Sequence, residues 1–388
     1  MPADSLNDED EWAREQAEEE VDRLRKEEPA PKISEAEFLA WRSPRIGTAN
    51  PTRLDNPLWH WLVRTRWDGY SANNVFGGPS PFTAGPMWCF QRYGMSETTL
   101  EDGRVLYIGG EHEDHYDPDF CIYNDVTVVD AAGSIAIHGY PKEDFPPTDF
   151  HSATRIGSAI YIVGRLGYAE SRTLGVTPVF KLSLDSMQME AVETLGESPG
   201  WIYEHQASLA SDGHTLVISG GERWRGEQRA TQENVDTWAL DTRNGRWTRL
   251  TQHHWQHWVM WRVDRKRNRL GDTRHARWHC EHVRRDHALL GLEHVWRHSE
   301  PPDFAALDAL YRLPGEMSPV IEEAEYGTFS TMIDGLKVRF KESDGFLVEA
   351  IVEGQLRPDR LLELQRTTLV LLERIDASPY EIAVASGS

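Results

Sequence analysis

Arg104-Val-Leu-Tyr-Ile-Gly-Gly110 is an apolar run closed by two glycines, and the pattern recurs twice along the chain. Ala159-Ile-Tyr-Ile-Val-Gly164 is the second copy and Thr215-Leu-Val-Ile-Ser-Gly-Gly221 the third, with Gly109, Gly164 and Gly220 spaced 55 and 56 residues apart. A second landmark keeps the interval. Asp125-Val-Thr-Val-Val-Asp130, Val179-Phe-Lys-Leu-Ser-Leu-Asp185 and Val235-Asp-Thr-Trp-Ala-Leu-Asp241 are alternating segments that end in aspartates, again 55 and 56 apart. A third landmark, Gly94-Met-Ser96, His151-Ser-Ala153 and His205-Gln-Ala207, precedes each glycine by 13 to 15 residues. Short apolar runs bounded by glycine and aspartate read as strands. Glycine lets the chain turn sharply after a strand, and a strand-end aspartate accepts the hydrogen bonds of a turn.

Three landmarks on one period mark a repeat architecture. The glycine pairs, the strand ending in Asp and Arg246-Trp247 of the third unit resemble the Kelch repeat, a unit of about 50 residues that forms one blade of a β-propeller. The resemblance covers about 160 of the 388 residues, roughly 90–250. It departs from the family in Gly164-Arg165, which stands where the other units have a glycine pair, and in the missing later Trp of the first two units. Three units are too few to close a ring, since propellers use about four to eight blades. The expected fold is therefore mainly β: a partial or diverged Kelch-type β-propeller with a small C-terminal α+β module.

Four regions follow. Residues 1–33 read as an acidic flexible arm, polar and poor in apolar anchors. Residues 34–90 hold Trp59, Trp61, Trp67 and Trp88, and this much indole favours packing against the main domain. Within them Asn56-Pro57 is expected to cap a helix carrying Leu58, Trp61 and Leu62. The propeller region is expected over 91–300. It includes a segment, 251–300, that carries five Trp and nine of the sixteen His, with strands expected at Trp258–Val263 and Leu289–Trp296. Residues 301–388 form the expected α+β module: a helix near 303–312, a hairpin Thr328–Ile333/Leu336–Lys341 turning at Asp334-Gly335, a strand from Phe346 to Val352, a helix opened by Pro358 and a last strand at Tyr380–Val384.

The net charge of −22 is uneven: residues 1–31 carry 12 acidic against 4 basic side chains, whereas 253–298 carry 10 Lys/Arg against 5 Asp/Glu. A field of this sign disfavours nucleic acid and attracts partners with a basic surface. The Arg-rich stretches 262–269 and 284–285, interleaved with Trp, read as internal ion-pair partners. No stretch approaches the roughly 18 apolar residues of a membrane span. Only Cys89, Cys121 and Cys280 are present, and no basic-then-apolar leader opens the chain, so a cytoplasmic location is expected.

The Kelch resemblance implies that the connections after the second strand of each unit cluster on one face, which points to 111–121, 165–178 and 222–234. The first offers His112, His115 and Tyr116, the second Arg165, Tyr168 and Arg172, the third Arg223, Trp224 and Arg225. Arg, Tyr and Trp are the types enriched in interface hot spots. His112, Asp114, His115 and Asp117 are also of metal-ligand type, but their spacing fits no specific motif, and a hydrogen-bonded or solvated loop is the favoured reading. The same holds for His275, His279, Cys280, Glu281 and His282, which lack CxxC or HExxH spacing and read as packing at a junction. No nucleophile elbow, phosphate loop or dinucleotide fingerprint is present. No cofactor is expected. The favoured function is a non-catalytic protein-binding scaffold, in one form a bacterial immunity or adaptor protein that occludes a basic partner. The alternative is a propeller enzyme or metal-dependent small-molecule binder using the His112–Asp119 loop.

Overall fold

Each of the three apolar runs becomes the second strand of its own antiparallel sheet. The structure, a computed structural model, describes residues 20–21, 23–226, 231–282, 302–342, 345 and 347–384. It is mainly β and divides into two compact units, Met1–Thr251 and Gln252–Ser388.

In the first unit the chain makes three meanders in sequence order. Repeat 1 runs Ser96–Thr99, Val105–Ile108, Val126–Val129, Ile135–Gly139, and Thr52–Arg53 pairs with its outer edge. Repeat 2 runs Ser152–Ile156, Ala159–Val163, Val179–Ser183, Met189–Ala191. Repeat 3 runs Gln206–Leu209, Thr215–Ser219, Trp238–Asp241, Arg246–Arg249. Equivalent residues share the register: Leu106 faces Val128, Ile160 faces Leu182 and Leu216 faces Leu240. The core lies between successive sheets. Leu106, Ile108 and Val126 of repeat 1 cluster with Ile160, Ile162 and Leu182 of repeat 2. Val163 and Val179 of repeat 2 cluster with Leu216, Ile218 and Trp238 of repeat 3. Ala159–Val163 of repeat 2, with cores on both sides, is buried at four of five positions, whereas buried and half-buried residues alternate in Val105–Ile108 and Thr215–Ser219.

The three landmarks have separate tasks. At Gly109 a Cβ would lie 2.0 Å from the Thr148 carbonyl oxygen, and at Gly164 it would lie 2.3 Å from that of Ile202. Both glycines have positive φ, and in each case the obstructing carbonyl belongs to the segment leading into the next repeat. Two of the aspartates cap turns: Asp130 accepts from the Ala132 and Ser134 amides at 2.9 and 2.8 Å, and Asp241 accepts the Arg243 amide at 3.0 Å. The third landmark joins the sheets. His151 bonds Ser96 at 2.7 Å and His205 bonds Ser152 at 2.8 Å, each imidazole reaching back to the first strand of the preceding repeat. Gly94 and the residues immediately before the two histidines, Phe150 and Glu204, all have positive φ, and the Phe150 amide donates to Gly94 O while the Glu204 amide donates to Phe150 O, both at 2.8 Å.

Residues 34–90 pack on repeat 1. Asn56 caps the helix Pro57–Thr65 with its side chain, and Trp59 stacks on Trp88 at 4.6 Å. The Trp88 indole donates to Asp125 at 2.7 Å. Asp125 also pairs with the buried Arg92, whose guanidinium lies 3.5 Å over the Tyr123 ring. Residues 1–19 of the expected arm lie outside the described residues, and Glu20 is exposed.

The second unit is a six-stranded antiparallel sheet in the order Ile321–Glu322, Thr328–Ile333, Leu336–Lys341, Leu347–Val352, Gln256–Arg262, Tyr380–Val384. The helix Pro358–Asp376 buries Leu364, Leu371, Leu372 and Ile375 in the core of this unit. The strand near Trp258 corrects the expected boundary. It pairs with Leu347–Val352 and Tyr380–Val384, so 252–282 belong with the C-terminal module rather than with the repeats. The strand expected at Leu289–Trp296 and the pair Arg284-Arg285 lie outside the described residues. No helix among the described residues is long and apolar enough to cross a membrane.

Candidate functional site

The connections after the second strands and the segments before the first strands meet at one end of the three sheets. In repeat 1 Tyr93 and Glu111 exchange backbone hydrogen bonds, and Glu111–His112 pairs with Cys121–Ile122. In repeat 2 the Leu166 amide donates to Asp149 O at 3.1 Å. In repeat 3 Glu222–Trp224 is a strand between Trp201–Tyr203 and Gln232–Glu233. Loops of this kind, held on a rigid scaffold, are where binding groups concentrate.

The candidate residues sort into outward and inward sets. His115 and Tyr116 are exposed at the tip of the first loop, with Tyr116 72% exposed and its hydroxyl bonded to Asp114. His112 is half-buried, and burial holds its imidazole below the usual range. It lines a cavity of about 200 Å³ with Tyr70, Phe82, Cys89 and Asp119. Arg165, expected on the surface, is buried. Its guanidinium donates to Pro147 O at 2.6 Å, lies 4.9 Å from the Trp201 ring, and is pushed down to about 10 by burial. Tyr168 accepts the Ile122 amide at 2.9 Å, so its hydroxyl ties the second loop to the first. Arg172 donates to Leu166 O and Gly167 O at 3.1 and 3.0 Å, fastening its own loop. Arg165 is thus buried where a surface position was expected, while Tyr168 and Arg172 are half-buried and bonded within the loop end. The two arginines donate to backbone carbonyls, and the Tyr168 hydroxyl accepts a backbone amide.

Arg223, Trp224 and Arg225 are half-buried rather than freely exposed, because Glu222–Trp224 is a strand whose Trp224 stands opposite Trp201. Together with Leu174 and Pro199 they line a shallow cavity of about 150 Å³, and burial pushes Arg223 down to about 10. Tyr93 at 70% exposure, Leu174 and Val176 complete the outward set. Sequence reasoning passed over them, since single apolar residues in loops carry no periodic signal. The first loop is strongly acidic. Glu113 is raised above the carboxylate range by burial and then by Asp119, Asp117, Asp114 and Asp68.

Beneath this end lies a feature that no motif announces. Burial, and then the Asp149 charge, holds Glu111 up to about 8. Asp149 is fully buried and also raised, chiefly by burial, although its Oδ1 accepts the Gly167 amide at 2.6 Å. Burial and the neighbouring charge thus both favour a protonated carboxyl in this pair. Among the described residues no three His, Cys, Asp or Glu side chains form a group able to hold a metal, so His112, Asp114, His115 and Asp117 are not gathered into one. His275 and His279 share the helix Leu270–His282, with ring centroids 6.4 Å apart, while the side chains of Glu281 and His282 lie outside the described residues.

No protein-family model matches this chain, and no curated protein matches it. Among solved structures, a mannose phosphorylase from Leishmania mexicana in complex with a phosphate ion is similar at 11% identity and a TM-score of 0.24, over 69% of this chain and 71% of that one. A likeness of that degree carries no argument about fold or activity.

Proposed function

We propose that residues 90–251 are an arc of a Kelch-type β-propeller whose loop end binds another protein through that protein's basic surface. Three consecutive antiparallel meanders, cores between successive sheets and glycines at each junction support the blade reading. The observation that carries the binding reading is the exposure of Tyr93, Tyr116, Leu174 and Val176 on the loop segments, with Tyr116 inside the acidic run 113–119. Exposed aromatics gain most when a partner desolvates them, and acidic neighbours select and speed the approach of a cationic surface. Occlusion of a basic partner, as by an immunity or adaptor protein, suits this chemistry.

The test is recovery of partners on the wild-type chain, followed by titration of the purified partner against variants. Tyr116→Ala is expected to weaken binding by on the order of 2 kcal/mol while leaving the melting temperature unchanged. Affinity is expected to fall as salt rises. A partner that binds the Tyr93→Ala/Tyr116→Ala variant as tightly as wild type, or that presents an acidic surface, overturns the proposal.

A further inference from the structure

A cavity of about 950 Å³ opens in the second unit, bounded by the helices Leu270–His282 and Phe304–Ala309 and the strand Thr328–Ile333. Small-molecule sites occupy about 300–1,000 Å³, so this one has room for a ligand of several rings' size. Its charge runs against that of the whole chain. Five Arg/Lys side chains line it against three carboxylates, in a protein of net charge −22.

Three of the five cations are already matched. Arg274 pairs with Glu342 at 2.6 Å, Arg277 with Asp308 at 3.1 Å and Lys341 with Glu325 at 2.7 Å. The first pair forms a held floor: Tyr311 donates to Glu342 at 2.8 Å, and the Arg274 guanidinium lies 3.8 Å over the Phe329 ring. Arg267 and Arg312 differ. Both are exposed at the same cavity, and among the described residues neither has a carboxylate within ion-pair distance. Two aromatic rings are exposed there as well. Trp278 is 52% exposed and stacked with His275 at an interplanar angle of 25°, and Tyr326 is 92% exposed.

Guanidinium groups match phosphate oxygens with paired donors, and flat aromatic side chains stack on planar rings. The cavity offers both in one place. We propose that it binds a small planar anion of the nucleoside monophosphate class, with the ring against Trp278 and Tyr326 and the phosphate at Arg267 and Arg312. A single phosphate fits two cations that have no ion-pair partner among the described residues, whereas the field of the whole chain repels a polyanion.

The experiment is calorimetric titration of the full chain with AMP, adenosine and inorganic phosphate. AMP is expected to saturate, with adenosine and phosphate each at least about tenfold weaker, because each engages one half of the site. Arg267→Ala/Arg312→Ala is expected to weaken AMP about tenfold and leave adenosine unchanged; Trp278→Ala is expected to weaken both, and Trp278→Phe to restore them. All three positions are exposed, and an unchanged melting curve shows the variants fold. Absence of saturation by AMP at millimolar concentration overturns the proposal, as do variants that bind AMP like wild type. Tighter binding of a single-stranded oligonucleotide than of AMP also overturns it, in favour of a nucleic-acid surface.

Discussion

Substituting alanine at Gly164 should cost far more than the same change at Gly220, although the two glycines occupy equivalent places in their repeats. Their backbones are alike, at φ +68° and +63°. An L-residue held there loses about 1–2 kcal/mol to local sterics at either site. The surroundings differ. A Cβ at Gly164 would meet the Ile202 carbonyl oxygen at 2.3 Å and His205 Cε1 at 2.7 Å, whereas a Cβ at Gly220 has nothing within 4 Å. A backbone carbonyl cannot swing aside as a side chain can, and forced overpacking of this kind adds about 1–3 kcal/mol. Gly164→Ala should therefore destabilise by about 2–5 kcal/mol and Gly220→Ala by about 1–2. Urea unfolding followed by tryptophan fluorescence, with unchanged m-values, reads the difference from the midpoints. Equal losses at the two positions would refute the reasoning that the second-strand glycine exists for the close approach of the next repeat.

Burial pushes His151 and His205 down to about 3 and about 4, well below the unfolded value of about 6.5, so the stability they permit is full above that pH and is lost as pH falls toward 4. His205→Gln should therefore lose about 1 kcal/mol less than wild type between pH 7 and pH 5.5 in urea titrations, because the slope approaches about 1.4 kcal/mol per pH unit only below the unfolded value of about 6.5. Glu111 has the opposite sign: its folded pKa of about 8 lies above the unfolded carboxylate value, so its contribution is full at low pH and is lost as pH rises through 8. Glu111→Gln should gain on wild type from pH 5 to pH 8, by on the order of 1 kcal/mol per unit after discounting for its partial exposure, and a flat difference would show that the carboxyl is ionised throughout. Asp125→Ala removes the partner of buried Arg92 and the acceptor of the Trp88 indole, and should cost about 3–5 kcal/mol by denaturant unfolding.

The three meanders were legible because their signals are local. Gly109, Gly164 and Gly220 mark where strands end, and the apolar run before each glycine and the run before its Asp supply the two central strands. The hairpin at Asp334-Gly335 and the helix opened by Pro358 were readable for the same reason. The boundary at 251 was not. Gln256–Arg262 looks the same whether it joins the repeats or pairs with Leu347–Val352, and pairing across that separation leaves no trace in a local pattern. The His landmark was visible as a period, but its bond to the preceding repeat was not. At the loop end, residue type misled. Arg165, Tyr168 and Arg172 have the chemistry of an interface yet spend it on Pro147 O, the Ile122 amide and Leu166 O. Glu111 and Asp149 are 38 positions apart and acquire raised pKa values only when the fold buries them together.

Hydrogen–deuterium exchange of the full chain, alone and with its purified basic partner, tests the central claim most directly, because protection reports where backbone is covered. The proposed face predicts new protection within 93–95, 111–121 and 168–176, with the outer strands Met189–Ala191 and Arg246–Arg249 unchanged. Protection confined to those outer strands, or to the second unit, would contradict it.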